Sequence, residues 1–443
     1  MTPSAPPPAP RFPSASAPGP DGPSRLSAGS PEDLLAYIPH HLGFAPRNSL
    51  VALTTLGHSV RALVRADLPP DSAAGASWLN DYAATFVSNV LYDADADGVL
   101  LAFYADQPWR DLHRPPYARL LAALEHQLAE ATLTLGEAWY VGPRYWRTLR
   151  CPDPACCPWP GGPVAGIADS VVNTELVFLG SSYDEDVQAA AAALVEPSAD
   201  HVRAGFEAET DAELLRLGPG ICGASQFRAV LEAWEWALLL EGRQPGGHLP
   251  PGLLPFLAAS LRSRMVRDAV LVQSSVGAGM AWTGTLTEGL LSPAAQRPDA
   301  PHSRLAWPNG TIARPSCWPA EGAVPEAVRT GFIPAPGADP GDFGRILTGR
   351  GDSRPDWRRV QAATAVLRLL ARAGQDTPRV AAVTMLAWLE WTKGKGMRAS
   401  ALLGLALAED PDYRLAVLLM ELLGRGVLCG WAQDRTLAWR QPG

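Results

Sequence analysis

The sequence predicts an α/β N-terminal domain, a mixed sheet with helices in the order ββαβαβ, followed by a mainly α-helical C-terminal region with helical hairpins. Three observations predict it. Between residues 49 and 141 short β-rich runs alternate with amphipathic stretches of helix length, the pattern of a layered α/β fold. Beyond residue 150 apolar side chains recur at spacings of three and four, the helical period. The last ninety residues fall into leucine-rich stripes separated by Gly, Asp and Pro breaks.

Residues 1–24 contain nine prolines and no apolar core, so a disordered Pro-rich tail is expected rather than a secretory leader. A short helix is expected from Pro31 to Ile38. Ser49 to Thr55 and Ser59 to Asp67 are β-rich runs on either side of Leu56-Gly57-His58, which suggests an antiparallel hairpin. Leu79, Tyr82, Ala83, Phe86, Val87 and Val90 then share one helical face. Gly98 to Tyr104 (GVLLAFY) is apolar without alternation, as in a strand covered on both faces of a partly parallel sheet. Tyr117, Leu120, Leu121, Leu124 and Leu128 make a second helical face behind Pro115-Pro116, and Thr132 to Val141 alternates like a strand. These elements make up a domain over 25–150.

A Cys/Pro segment and helical region follows over 151–272. Ser225 is a candidate cap for a helix carrying Phe227, Val230, Leu231, Trp234 and Leu238, and Leu253, Leu257, Leu261 and Met265 mark another. Residues 273–350 hold ten prolines and eleven glycines, which reads as an irregular insertion or lid. Trp282, Trp307 and Trp318 are expected to pin it to the body, because Trp buries so much area. In 351–443, Val380, Val383, Ala387 and Trp391 form one stripe before the break at Gly394-Lys395-Gly396. Asp410 is expected to cap the last long helix, with Pro411 in its first turn. LALAEDPDYRLAVLLMELL is similar to the end of one tetratricopeptide repeat and the start of the next, but no second copy appears.

The balance of 37 basic and 45 acidic residues gives a net charge of −8, so nothing global recommends nucleic acid or an anionic membrane as partner. With no stretch of about 18 uninterrupted apolar residues, the expected product is a soluble cytosolic protein. Its six cysteines are then expected as thiols or metal ligands rather than disulfides.

Cys151, Cys156 and Cys157 form the most distinctive cluster. Three thiolates within seven residues could supply most of a tetrahedral zinc shell, yet no His lies nearby to complete it. The preferred reading is a proline-braced turn with packed cysteines; zinc and a redox pair are the alternatives. The connector Leu42 to Ser49 is the leading ligand loop. Arg47 can fork onto a carboxylate or phosphate, and Asn48 and Ser49 add donors at a strand start. His40, Arg65 and Asp67 complete that candidate ligand set, against an ordinary reading in which Asn and Ser simply make the turn.

Three motif matches fail on physical grounds. Asp93-x-Asp95-x-Asp97-Gly98 opens like a calcium loop, but its twelfth position is Tyr104, so a helix-to-strand turn explains it better. Gly218-x-Gly220-x-x-Gly223 follows a helical rather than a strand pattern. Arg345, Arg350, Arg354, Arg358 and Arg359 read as a solvated face rather than a nucleic-acid patch, being interrupted by Asp352 and Asp356. There is no GxxxxGK[ST], HExxH or GxSxG, and Lys393 and Lys395 are the only lysines.

Several segments together carry a family resemblance: LSAGSPEDLLAYIPHHLGFAPRNSLVAL from Leu26, VRADLP from Val64, RYWRTLRCPDPACCPWPGGPV from Arg144, MVRDAV from Met265 and LAEDPDYRLAVLL from Leu407. In these the chain resembles the actinobacterial family called domain of unknown function 4192. The 273–350 region looks longer than that family needs, and Lys395 stands where an acidic residue is expected between the glycines. The resemblance implies a cytosolic bacterial protein and carries no activity, substrate or cofactor. The expected function is non-catalytic: a regulatory or partner-binding, scaffold-like protein whose helical C-terminal region offers grooves for a protein partner. The alternative is an enzyme or sensor with a small-molecule pocket in the N-terminal domain, covered by the 273–350 segment.

Overall fold

The structure is a computed structural model. It describes residues 16–19, 22–25, 27–71, 76–151, 153–181, 183–217, 223–291, 312–320, 323–334, 337, 339–425, 427–434 and 436–439. The described residues divide into two compact units, one up to Asp186 and one from Val187 onward.

In the stretch read as a tail, Ser16–Gly19 (β1) pairs with Gly22–Arg25 (β2) as a small hairpin; its other residues lie outside the described set. The body of the first unit runs α1 (Pro31–Leu42), β3 (Ser49–Leu56), β4 (Ser59–Asp67), α2 (Ala76–Val90), β5 (Gly98–Tyr104), α3 (Ala118–Glu130) and β6 (Thr134–Val141). From β3 to β6 that is the ββαβαβ order expected. Two further strands, β7 (Tyr145–Thr148) and β8 (Gly162–Pro163), extend the sheet to β4-β3-β5-β6-β7-β8. They escape the sequence reading because β7 has four residues and β8 two, too few to show a period. The short α4 (Ala165–Ala168) and α5 (Val171–Phe178) close the unit.

The sheet is mixed: β5 and β6 are parallel, and the other neighbours are antiparallel. All seven residues of β5 are buried, because both faces are covered. Val99, Leu101 and Phe103 pack with α2 and α3 residues such as Phe86 and Leu124. Leu100, Ala102 and Tyr104 pack with Leu34, Leu35 and Ile38 of α1.

The α1 helix starts where a capping box allows it. Ser30 accepts from the Asp33 amide, and the Asp33 carboxylate accepts from the Gly29 amide at 2.9 Å and the Ser30 amide at 3.2 Å. Its other oxygen accepts from the Val172 amide at 3.3 Å, so one nearly buried carboxylate ties α1 to the start of α5. Asp33→Ala should therefore cost about 1–3 kcal/mol in urea denaturation, the penalty of unmatched buried amides; a loss below a few tenths would refute that role.

The second unit is helical: α6 (Val187–Leu194), α7 (Asp200–Leu217), α8 (Ala224–Arg243), α9 (Leu253–Ser260), α10 (Arg264–Val276), α11 (Ala278–Thr287), α12 (Glu326–Thr330), α13 (Phe343–Leu347), α14 (Trp357–Ala373), α15 (Asp376–Thr392), α16 (Gly396–Glu409), α17 (Arg414–Gly424) and α18 (Gly430–Gln433). Trp234, Trp388, Trp391 and Trp431 are almost fully buried in one shared core. The described part of 273–350 joins that core through Ala278, Met280, Val328, Phe332, Phe343 and Ile346. Trp282 stacks on Phe227 and Trp318 meets Trp236 edge-on, whereas Trp307 lies outside the described residues.

Four local expectations need correction. Ser225 does not cap its helix but lies in its first turn, because α8 starts at Ala224 after Gly223. The stripe Leu253 to Met265 is two helices, because Ser263 caps a new one by accepting from the Val266 amide. Asp410 and Pro411 do not open a helix. Asp410 ends α16 and its carboxylate accepts from the Asp412 amide, so the next helix starts at Arg414 with Tyr413 in the cap position. Within the arginine run, Arg354 and Arg358 are exposed as expected, but Arg359 turns inward to Glu235.

Candidate functional site

Because β5 and β6 run parallel, their carboxyl ends emerge on one edge of the sheet. The start of β3 and the end of β4 share that edge, since Ser49 pairs with both Tyr104 and Asp67. Crevices in sheets of this kind open outside such carboxyl ends.

Four of the six predicted ligand residues meet there. Asn48, with φ 42°, donates from Nδ2 to Asp106 Oδ2 at 2.5 Å and accepts from the Asp106 amide at 3.3 Å, joining the exit of β5 to the entry of β3. The Ser49 hydroxyl donates to the Arg47 carbonyl at 2.7 Å and accepts from Arg65 Nε at 2.9 Å. Arg65 also reaches Asp67 Oδ1 at 2.6 Å. These contacts brace the strand edge. Arg47 contributes its carbonyl while its side chain is exposed.

His40 belongs to a different network, at the end of α1. The Asn173 amide group donates to the Ala168 carbonyl, which turns Asn173 Oδ1 toward His40 Nε2 at 2.9 Å, so Nε2 donates. Nδ1 meets the Ser181 hydroxyl at 3.0 Å, and Tyr183 packs edge-on against the ring. The aspartates of the calcium-like motif close a turn instead. Arg61 binds Asp93 and Asp95 at 2.8 Å each, and Asp97 accepts from the Gly57 amide at 2.7 Å.

A cleft of about 220 Å³ opens at the same carboxyl edge, walled by Trp109, Tyr140, Tyr145 and Pro160 with Arg144 and Arg147. Sequence reasoning missed it, because Trp109 follows β5, Tyr140 ends β6 and Arg147 lies opposite Tyr140 on β7. The one available signal was an arginine at an inward position of the run YWRT. Arg147 is 3% exposed. Its Nη1 donates to the Pro158 carbonyl at 2.8 Å, its Nη2 to the Cys151 carbonyl at 3.5 Å, and its guanidinium lies 5.7 Å from the Trp109 ring centre. Its Nε is buried without an acceptor, and no carboxylate among the described residues pairs with it. Arg144 is exposed at the rim.

The loop that Arg147 holds carries the cysteine cluster. The sulfur atoms of Cys151, Cys156 and Cys157 all lie within 4.8 Å of one another, with those of Cys156 and Cys157 3.8 Å apart. Asp153 shapes the loop: its carbonyl accepts from the Cys157 amide at 2.8 Å and its carboxylate from the Ala155 amide at 2.8 Å. Burial, reinforced by the two neighbouring thiols, pushes the Cys157 thiol up to about 12. Cys156 is exposed and the other two are half-buried, so the packed turn of the sequence reading has its sulfurs converging near the surface.

Fold and site together define a class: a two-unit protein whose α/β part bears an aromatic, arginine-lined cleft beside a three-thiol loop and whose remainder is helical. The chain belongs to the family described as Domain of unknown function (DUF4192), whose model matches residues 31–297 and 356–428. The unmatched interval falls largely within the Gly/Pro-rich segment that looked longer than the family needs. No curated protein and no solved structure matches the chain.

Proposed function

We propose that this is a cytoplasmic, actinobacterial regulatory protein, non-catalytic, that binds a small aromatic carboxylate in the cleft at the carboxyl edge of its N-terminal sheet. The convergence of three aromatic side chains and two arginines around one cleft carries the reading, because flat apolar walls with a cation beside them match an aromatic anion. Trp109, Tyr140 and Tyr145 offer flat apolar walls, and Arg144 supplies a cation at the rim for the ligand's charge. A cavity of about 150 Å³ holds a benzene ring, so about 220 Å³ leaves room for a single aromatic ring with its carboxylate. Aromatic, proline, glycine and arginine residues line the space, an inventory for recognition rather than proton transfer. No disulfide joins the described cysteines, and no described helix is long and apolar enough to cross a membrane.

The test is a panel of aromatic carboxylates and their neutral amides against wild type and Arg147→Met. A ligand at a hundred times its Kd should stabilise wild type by about 2.7 kcal/mol and leave the variant unmoved. Equal responses of both proteins to every compound would sink the proposal.

The partner-binding reading has one observation of its own. On α5, in the first unit rather than in the helical C-terminal region where a partner was expected, Val171 is 65% exposed, Val177 56% and Phe178 90%, and exposed large apolar side chains of this kind favour docking. Phe178→Glu should abolish co-purification of any genuine partner while leaving the unfolding midpoint within about 0.5 kcal/mol; a partner retained by that variant would exclude this face.

A further inference from the structure

We infer that Cys151, Cys156 and Cys157 hold one zinc ion as thiolates, with the buried Arg147 guanidinium as the counter-charge of the site. The inference goes beyond the cleft reading and does not depend on it.

Geometry comes first. A tetrahedral zinc with Zn–S bonds of about 2.3 Å separates its sulfurs by roughly 3.8 Å along each edge. Cys156 and Cys157 already sit at 3.8 Å, although they are adjacent in sequence, a spacing that alone argues against shared ligation. All three sulfurs fall within 4.8 Å of one another, so the remaining closure is about 1 Å, within reach of side-chain torsions. Asp153 shapes the loop independently of any ion by accepting from the Ala155 and Cys157 amides.

Charge supplies the second and independent observation. Arg147 is 97% buried by its 3% exposure, has no carboxylate partner among the described residues, and uses Nη1 and Nη2 on the Pro158 and Cys151 carbonyls. A guanidinium isolated from water without an anion is strongly disfavoured. Three thiolates around a divalent zinc carry one net negative charge, which matches that cation at the loop it already grips. On binding, each thiol gives up its proton to solvent and its sulfur lone pair forms the bond to zinc; nothing is oxidised or reduced. Cys151, Cys156 and Cys157 fill three positions, and the fourth is left to water or another oxygen or nitrogen donor. Arg147 thus borders both places: its Nη groups hold the loop, and its side chain is part of the cleft wall.

The full chain, purified without chelator from zinc-supplemented cells, should contain one equivalent of zinc by plasma emission. Cys151→Ser and Cys156→Ser should lose at least nine-tenths of it, whereas Cys317→Ser and Cys429→Ser should retain it. Cobalt in place of zinc should show intense thiolate charge-transfer absorption that disappears in Cys156→Ser. Arg147→Met, which removes no ligand, should weaken zinc binding about 10–100-fold in chelator competition. Circular dichroism of Cys156→Ser, an exposed position, separates metal loss from unfolding. Less than a tenth of an equivalent in wild type, full zinc in folded Cys156→Ser, or a Cys156–Cys157 disulfide in chain purified under reducing conditions would each overturn the assignment. Zinc is measured with no cleft ligand present, so failure of the carboxylate reading leaves this result standing, and the reverse holds as well.

Discussion

Arg359→Met should cost the helical unit about 3–5 kcal/mol, the penalty for stranding a buried charge. Glu235 is 2% exposed on its side chain, and Arg359 meets it with two parallel bonds of 2.7 and 2.6 Å. The guanidinium also donates to the Gln273 carbonyl at 3.1 and 3.0 Å, and the Gln273 side chain returns to Glu235 at 2.9 Å and to the Leu231 carbonyl at 2.9 Å. One ion pair therefore pins α8, α10 and α14 together. With the arginine gone, the Glu235 carboxylate faces the interior with a single amide donor among its described contacts. Replacing both, as Glu235→Leu with Arg359→Met, should recover most of the loss, since matched apolar groups spare the desolvation of two charges. Urea denaturation of the two singles and the double decides the matter; a single-variant loss below about 1 kcal/mol would show that the pair behaves like a surface one.

Gly161→Val should be nearly as damaging, at roughly 2–6 kcal/mol, and should also remove the cleft. Gly161 has φ 118°, a backbone state that side chains resist at about 1–3 kcal/mol. A Cβ there would lie 2.2 Å from the Trp146 carbonyl oxygen. That oxygen belongs to β7 and cannot swing away, so the β8 pairing must yield, at an overpacking cost of about 1–3 kcal/mol more. Pro160 and the cysteine loop would move with it. The expected result is a lower urea midpoint together with loss of the ligand response, whereas Gly180→Ala, where an added Cβ meets nothing within 4 Å, should keep the ligand response. A stable Gly161→Val protein with normal ligand response would show that the loop is not braced against β7.

Much of the fold is legible in the residues themselves, and particular elements show why. GVLLAFY announces a doubly covered strand because it offers no polar face, and all seven of its residues are buried. YWRT announces nothing: its last three residues pair with Trp139, Tyr140 and Val141 only because the chain turns back there. The three cysteines are visible as a cluster at six-residue range, and the folded loop keeps them together. Arg359 is misread as solvated because a helical pattern assigns charges to the outside, and its partner is 124 residues away. Of the proposed ligand residues His40, Arg47, Asn48, Ser49, Arg65 and Asp67, the last four are joined at one sheet edge and His40 sits in another network, while the cleft lies farther along that edge, where Trp109, Tyr140 and Arg147 converge.

What the sequence determined by itself was the identity and order of the main strands and helices and which face of each is apolar. Those properties follow from the period of side chains along a few turns or pleats, and that period is local. What only the tertiary structure decided was which polar groups meet: Arg359 with Glu235, Asp33 with Val172, and Arg147 with no carboxylate among the described residues. The reason is physical. The cost of a buried charge depends on distances through space to its partners, and those distances exist only once the strands and helices have packed.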